Sequence, residues 1–434
     1  MGAVTGLGVG FDVFWEGLVA GRSAIGPIER FDAGGFPCRL AAEVRDFTAR
    51  DHVPKSYRKA TKVMARDIEL AVGAADIAVR DAGVITRALE EGKPTYPGDR
   101  MGCHIGAGLI ATETDELTSA LATSTDEDGR FDLKRWGETG MNNLQPLWLL
   151  KYLPNMPACH VTIIHGAKGP SNTITCAEVS GLLSLGESAR VIERGSADLC
   201  FSGGAESKVN PMGLVRIGLA QRAASTGDET DGSVILRPFD ADSPGGLPGE
   251  GGGILVLEEA RAAAARGARV YAEIKGFGAA QSSPPYAALR IGESTEHPTF
   301  EDGLVSSITR SLADAEIGPG QIDAIVPHGS GTSQVDSLEA GALREVFGDR
   351  LGSIPLVTWT PNVGDCWAGN GGLQTGLAAR CLHEQKLPAR IHAGRAGDGL
   401  DAGPADARDA ELGHVLVCSS ALGGQTAALV VGAA

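Results

Sequence analysis

The sequence predicts an α/β protein with a mainly parallel sheet that is covered by helices on both faces. Helical and strand patterns alternate along the chain, which is typical of such sheets. A helical pattern over residues 56–84 precedes a buried strand over Gly102–Gly108, and a helical pattern over residues 301–315 precedes the strand Ile322–Val326. The 61 glycines and the 5% aromatic content fit closely packed turns and helix–sheet contacts. The same order in both parts of the chain indicates two pseudo-repeats.

The first of these helices is predicted from apolar side chains at helical spacing. They are Ala60, Val63, Met64, Ile68, Ala71 and Ala75. Residues 112–150, in contrast, are polar and irregular in pattern. No linker rich in proline, serine or charge divides the chain, so we expect the halves 1–240 and 241–434 to form one compact unit.

Composition excludes several classes of function. The net charge of −16 argues against nucleic-acid binding, which requires clustered lysine and arginine. The eight cysteines have neither metal-ligand spacing nor a paired framework, which favours reduced thiols in the cytoplasm and predicts no metal site. No apolar run reaches transmembrane length. The glycine-rich run Gly249–Gly253 lacks the context of a nucleotide loop, so we expect no cofactor.

The segment Gly169–Gly181 resembles the nucleophile elbow of β-ketoacyl synthases of the thiolase superfamily. In that family a Gly-Pro pair begins nine residues before the reactive cysteine, and a helix glycine lies eight residues after it. Gly169 and Gly186 therefore both indicate position 178, which is glutamate here. A carboxylate cannot carry an acyl group as an ordinary thioester, so the usual covalent catalysis is lost.

Cys176 is the alternative nucleophile. Choosing it requires a shift of two residues on both sides of the elbow. It would then lie on the strand that leads into the turn, away from the start of the helix. The amides at a helix start lower the pKa of a thiol only when the thiol is close to them. We interpret Cys176 as a buried, unreactive thiol.

The histidine region matches the family in part. Pro327–Glu339 resembles the family pattern His-Gly-Thr-x-Thr-x-x-x-Asp-x-x-Glu, which implies that His328 is the first active-site histidine. In the later pattern Lys-x-x-x-Gly-His-x-x-Gly-Ala-Ala-Gly, Thr360 replaces the lysine and Asp365 replaces the second histidine. If Asp365 adjoins Glu178, repulsion between the carboxylates would raise one pKa and allow a shared proton.

The C-terminal region resembles the family's gate sequence Ser-Phe-Gly-Phe-Gly-Gly-Thr-Asn. Leu422 takes the place of the gating phenylalanine, while Gly423 and Gly424 are retained. We therefore expect the turn to be kept and the side chain of the gate to be changed.

This combination resembles the ketosynthase-β subunits, or chain-length factors, of type II polyketide synthases. The resemblance implies a layered αβαβα thiolase fold and a subunit without condensing activity. Such a subunit pairs with an active ketosynthase-α subunit and helps to limit the length of the acyl chain. It implies a heterodimer, or else a homodimer, and contact with an acyl carrier protein. Arg58, Lys59 and Lys62 form one candidate basic patch for an acidic carrier, although an ordinary solvated helix face is the simpler interpretation.

Two further functions stay open at this point. One is decarboxylation of a malonyl carrier without condensation, which in related loading domains depends on two histidines. The other is a stand-alone enzyme that processes thioesters with His328, Glu178 and Asp365 in one pocket. A simpler role for Glu178 is to accept amides at the start of the elbow helix.

The start of the chain carries one more expectation. Met1–Gly8 resembles the family's first strand-to-turn segment, but the apolar strand that should precede it is absent. A deleted inner strand would leave unpaired backbone groups, so we expect a true start upstream of Met1.

Overall fold

The computed structural model describes residues 1–89, 92–282, 301–392, 394–397 and 399–434. The strands, in chain order, are β1 (Gly2–Thr5), β2 (Gly8–Val9), β3 (Ile25–Pro27), β4 (Leu40–Ala42), β5 (Met101–Gly106), β6 (Ser171–Ile174), β7 (Leu199–Ser207), β8 (Glu250–Glu258), β9 (Glu273–Gln281), β10 (Ala324–Val326), β11 (Lys386–Leu387), β12 (Arg408–Asp409), β13 (His414–Ser420) and β14 (Gln425–Gly432). The α-helices are α1 (Phe11–Val19), α2 (Arg66–Ala82), α3 (Thr114–Ala122), α4 (Leu133–Glu138), α5 (Met156–His165), α6 (Ser180–Glu193), α7 (Pro211–Leu219), α8 (Gly232–Ile235), α9 (Ala260–Ala265), α10 (Asp302–Asp314), α11 (Ser333–Phe347), α12 (Thr360–Val363) and α13 (Asn370–Glu384).

Two sheets form the centre of the fold. The larger sheet has the strand order β2-β1-β8-β7-β5-β6, and the smaller one has the order β10-β13-β14-β9. β1 lies inside the larger sheet, where it pairs with β2 and β8. The sequence analysis expected an inner strand before the Met1–Gly8 segment. In the structure, Gly2–Thr5 within that segment forms an inner strand.

Helices and sheets alternate in five layers. α6 and α13 pack against each other between the two sheets. α2 covers the outer face of the larger sheet through β1, β7 and β8, and α10 covers the smaller sheet through β9 and β14. Three apolar clusters fill the boundaries between these layers. Since the elbow turn opens directly into α6, this central layer positions the candidate site.

The prediction of mainly parallel sheets is wrong. Parallel pairing joins β5 to β6, β5 to β7 and β10 to β13. β8 runs antiparallel to β7 and β1, and β14 runs antiparallel to β13 and β9. The reason is connectivity: β13 and β14 form a hairpin, whose strands must be antiparallel, and β8 returns along β7 after the long excursion over residues 208–249.

The single helix predicted over residues 56–84 is also wrong in part. Lys55–Val63 forms 3-10 turns with no buried residue, and α2 begins only at Arg66 after an extended Met64 and Ala65. The apolar face of this region begins to be buried at Met64, so tertiary packing supports an α-helix only from there. The candidate basic patch lies on the 3-10 turns, where Lys59 and Lys62 are exposed.

Residues 112–150 contain more regular structure than their sequence pattern predicted. They form α3 and α4, followed by the 3-10 turns Gly140–Asn143 and Trp148–Lys151. Among the described residues, none of the helices is both long and apolar enough to span a bilayer.

Candidate active site

The elbow places Glu178 at the start of the central layer. β6 ends at Ile174, and the 3-10 turn Ala177–Val179 leads directly into α6. Ala177 has φ 48°, a left-handed conformation that a residue with a side chain rarely adopts. The Ser180 hydroxyl holds the turn, since it accepts the amide of Cys176 at 2.8 Å and donates to the carbonyl of Ala177 at 2.7 Å.

Two polar groups among the described residues contact the carboxylate of Glu178, whose side chain is completely buried. Oε2 accepts the backbone amide of Leu422 at 3.2 Å. Oε1 lies 3.4 Å from Nη2 of Arg222, an ion pair between two buried side chains. Oε1 has no hydrogen-bond partner among the described residues, so this contact is an ion pair without good hydrogen-bond alignment. The expected contact with amides of the elbow helix is replaced by a contact with the gate.

Cys176 lies in the turn rather than on the strand, two residues past the end of β6. Its side chain is half-buried and packs against the central apolar cluster, so the expectation of a buried thiol is corrected. Burial nevertheless raises the pKa of the Cys176 thiol. A raised thiol pKa lowers the thiolate fraction and disfavours this residue as a nucleophile.

The loop that carries His328 is held by the two acidic residues of its motif. Glu339, on α11, accepts the amides of His328 at 2.8 Å and Gly329 at 3.0 Å. Asp336, also on α11, accepts the amides of Ser330 at 2.9 Å and of the following glycine at 3.0 Å. The Asp-x-x-Glu spacing therefore places both carboxylates on one helical turn beneath the loop.

His328 and Asp365 form a buried ion pair. Nε2 of His328 lies 3.3 Å from Oδ2 of Asp365. Burial alone would lower the pKa of His328, but the bond to Asp365, with the further charges of Glu339 and Glu178, raises it to about 9. Burial would likewise raise the pKa of Asp365, yet His328 lowers it below its usual value. The imidazole is therefore a cation at neutral pH.

The shared proton expected between Glu178 and Asp365 is contradicted. Oδ1 of Asp365 accepts the amide of Trp367 and the side-chain amide of Asn370, both at 2.8 Å, and its other oxygen faces His328. Each carboxylate thus has its own cationic partner, Arg222 for Glu178 and His328 for Asp365, and no hydrogen bond joins the two acids.

Thr360 and the gate complete the candidate site. Thr360 is fully buried and donates its hydroxyl to the carbonyl of Gly329 at 2.5 Å, so it holds the histidine loop. The hairpin between β13 and β14 turns through Leu422, Gly423 and Gly424, and Gly424 has φ 83°. The turn expected from the retained glycines is present.

Sequence reasoning missed Arg222 and Asn370. Asn370 begins α13 and orients Asp365, and its position within the Gly-rich pattern could have indicated a role. Arg222 follows the irregular end of α7, so no spacing connects it with the elbow. Within the described residues, no group of three or more His, Cys, Asp or Glu side chains could hold a metal ion.

Two domain families match this chain: the β-ketoacyl synthase N-terminal domain over residues 1–263 and the C-terminal domain over residues 271–394. The chain belongs to the β-ketoacyl synthase family. Its layered architecture is the thiolase-like β-ketoacyl synthase fold that the sequence predicted. The division of the chain at residue 240 stays a prediction.

Several members of the β-ketoacyl synthase family are similar to this chain over nearly their whole length. The 3-oxoacyl-[acyl-carrier-protein] synthase 2 of Coxiella burnetii (strain RSA 493 / Nine Mile phase I) is 31% identical, and the match covers 99% of this chain and 96% of the relative. A solved β-ketoacyl synthase from Burkholderia phymatum STM815 has a TM-score of 0.82 and 25% identity, with 100% of this chain and 98% of that chain covered. The ishigamide ketosynthase/chain length factor has a TM-score of 0.81 and 27% identity, with 100% and 97% covered.

Proposed function

We propose that this chain is a non-condensing ketosynthase-like subunit of the chain-length-factor type. It pairs with an active ketosynthase and shapes the tunnel into which the partner's acyl chain grows. The observation that carries this proposal is the buried contact of Glu178 with Arg222 and the Leu422 amide. An acid at the tip of the elbow cannot hold an acyl group as the thioester that condensation uses, and this acid is already engaged by the protein.

The arrangement around His328 disfavours decarboxylation of a malonyl group. In related loading domains that reaction depends on two histidines, and here Asp365 stands in place of the second one. Nε2 of His328 is engaged by Asp365 and is not free to donate to a thioester oxygen.

A stand-alone acid–base enzyme is disfavoured for a related reason. His328 contacts Asp365, and the charge of Glu178 contributes, after those of Asp365 and Glu339, to the raised pKa of His328. However, a general base needs an oxygen or nitrogen that can reach a substrate proton. Asp365 uses both of its oxygens on the protein, and His328 is a cation at neutral pH.

Exposed apolar side chains support pairing with a second subunit. They concentrate in one part of the chain: Leu109, Leu121, Phe131, Leu133, Met141, Leu147, Leu149, Leu150 and Ile163. Leu133 is 74% exposed and Leu147 is 66% exposed, which is unusual for large aliphatic side chains so close together in sequence. β6 also lies at the edge of the larger sheet, with Ser171 and Asn172 exposed.

Such a surface fits an obligate partner better than a transient one. Obligate interfaces bury more than about 2,000 Å² and are strongly apolar. We propose that the partner is an active ketosynthase, and the name of the ishigamide ketosynthase/chain length factor supports this heterodimer over a homodimer. The acyl carrier protein in the name of the Coxiella relative supports a carrier as the third component. Residues 112–150 would line the tunnel at the subunit boundary.

The test is to express the full chain alone and together with the ketosynthase encoded beside it, if that protein has an intact Cys-His-His set. Native mass spectrometry gives the assembly, and turnover of a malonyl carrier is measured for each sample. We expect a stable heterodimer and no turnover by this chain alone. A homodimer that decarboxylates or condenses without a partner would contradict the proposal.

A further inference from the structure

The gate segment, Ser419–Gly424, is held from two directions. On the side of the elbow, Oε2 of Glu178 accepts the amide of Leu422 at 3.2 Å. On the opposite side, the amide of Ser282 donates to the carbonyl of Gly424 at 2.7 Å. Because the Leu422 amide is already bonded to a carboxylate, an acyl carbonyl could reach it only after Glu178 moves away.

Arg222, which contacts Glu178, lies three residues after the end of α7. The chain leaves the helix after Leu219, and Gln221 takes a left-handed φ of 56°. The turn brings the guanidinium of Arg222 into the interior, where the residue is 8% exposed and pairs with Glu178 at 3.4 Å. Burial of an arginine side chain costs free energy unless nearby acids compensate its charge.

A second buried acid faces the same arginine. Glu301 is 3% exposed, and its carboxylate accepts the hydroxyl of Ser282 at 3.3 Å. Burial raises the pKa of Glu301 to about 6, while hydrogen bonds from Ser420 and Ser282 and the charge of Arg222 act in the opposite direction. Arg222 therefore lies near two acids, Glu178 and Glu301, and each of them touches the gate segment.

We infer that Arg222 is a positioning residue: it holds the Glu178 carboxylate against the Leu422 amide and thereby keeps the gate segment closed. The inference deepens the proposed function and rests on it in taking Glu178 as a residue that is never acylated. The charge of Arg222 fixes the position of the Glu178 carboxylate, and this carboxylate in turn accepts the hydrogen bond from the Leu422 amide. A closed gate keeps acyl thioesters away from the elbow of this subunit.

The test is amide hydrogen exchange of the full chain, in the assembly in which it is purified, followed by mass spectrometry of peptides that contain Leu422. In Arg222→Met we expect exchange there to be at least about tenfold faster, because Glu178 is then no longer held against the amide. Arg222→Lys should restore most of the protection. Arg216→Met is the matched control, since Arg216 lies on α7 and donates to the carbonyl of Leu109 rather than to the gate.

Unchanged exchange at Leu422 in Arg222→Met, or faster exchange spread evenly over the chain, would overturn the inference. If Arg222→Met does not fold, the double variant Glu178→Gln/Arg222→Met removes both charges and leaves neither partner as an unpaired buried ion. We expect its gate peptides still to exchange about tenfold faster than those of the wild type. If the gate peptides of the double variant exchange as slowly as those of the wild type, the Arg222–Glu178 pair only balances buried charge and does not hold the gate, and the inference is wrong. Neither result depends on whether the chain finds a partner, so failure here is distinct from failure of the proposed function.

Discussion

Asp365 contributes most to the raised pKa of His328, ahead of the charges of Glu339 and Glu178. The contact of 3.3 Å between Asp365 and His328 is buried, so the attraction is hardly screened by solvent. In the family pattern a second histidine stands at position 365, and two imidazoles would then face the substrate. Here Asp365 forms an ion pair with His328 instead. The imidazole of His328 is therefore not available to donate a hydrogen bond to a substrate.

Asp365→Asn should remove the cationic state of His328. The amide oxygen of the substituted side chain can still accept from Trp367 and Asn370, so the loop should keep its shape. Burial then dominates, and we expect the pKa of His328 to fall from about 9 to below 6.5. Histidine-selective NMR of the two proteins between pH 5 and 10 measures this change. A titration near pH 9 in the variant would contradict it.

The same pair makes stability depend on pH. Because the folded pKa of His328 is raised above its ordinary 6.5, its contribution is fully present below pH 6.5 and is lost as the pH rises through about 9. The wild type should lose on the order of 3 kcal/mol more than Asp365→Asn over that window. Urea unfolding at a series of pH values measures the difference, and equal losses in both proteins would refute it.

Glu178→Cys should produce a reactive thiol but no condensing enzyme. Arg222 would face the new sulfur and lower its pKa, so iodoacetamide should modify position 178. Condensation should remain absent because Asp365 still engages His328 and Thr360 still replaces the lysine. Peptide mapping and a malonyl-carrier assay measure the two outcomes. Carbon–carbon bond formation by the single variant would show that the histidine region supports condensation despite Asp365 and Thr360.

At the residue scale the sequence predicts positions better than partners. Motif spacing placed Glu178 on the elbow and His328 with Asp365 near it. It could not show that Arg222 neutralises Glu178, because that contact joins residues 44 positions apart through the irregular end of α7. The shared proton between Glu178 and Asp365 was predicted wrongly for a related reason: Arg222 was not identified, and the sequence did not show that His328 pairs with Asp365.

At the scale of elements, burial rather than pattern decides where α2 begins. The apolar spacing runs on from Ala60 into the helix, yet Lys55–Val63 makes only 3-10 turns. Isolated helical turns are marginal in water, so an amphipathic pattern forms an α-helix only where a core receives it. The helix predicted over residues 301–315, in contrast, is confirmed as α10, because its apolar face packs on β9 and β14.

The contact between α6 and α13 depends on glycine. A methyl group on Gly371 would lie 2.1 Å from the backbone nitrogen of Leu182, and one on Gly181 would lie 2.6 Å from the carbonyl of Ala368. We expect Gly371→Ala to lower the free energy of unfolding by more than about 2 kcal/mol, because backbone cannot yield as a side chain can. Gly320→Ala, an exposed site with no neighbour within 4 Å, should change it by less than about 0.5 kcal/mol. Denaturant unfolding compares the two; similar values would contradict the packing argument.

At the scale of the whole molecule, the αβαβα architecture was predictable only through resemblance. The order of helices and strands indicates an α/β fold, but it does not give strand direction. Direction depends on how each connection returns, and the excursion over residues 208–249 sends β8 back antiparallel to β7. Local pattern carries no record of such a long-range choice.

The exposed apolar surface predicts where the chain assembles. Leu147→Asp should prevent or weaken the pairing with a ketosynthase, because it would bury an unpaired charge in an apolar interface. We expect the dissociation constant to rise at least about 100-fold, which corresponds to about 2.7 kcal/mol. Val270→Asp is the control, since Val270 is also exposed but lies outside residues 109–163. Analytical ultracentrifugation of the co-expressed proteins measures the dissociation constant of each variant. Equal constants for Leu147→Asp and Val270→Asp would show that this apolar surface is not the interface.

The most direct measurement is to trap acyl groups on the assembled complex and locate them by mass spectrometry. The full chain, its ketosynthase partner and an acyl carrier protein are supplied with substrate, quenched and digested. We predict acyl adducts on the partner's cysteine alone and none on any sulfur of this chain, Cys176 included. An acyl group on this polypeptide that goes on to form a carbon–carbon bond would contradict the account.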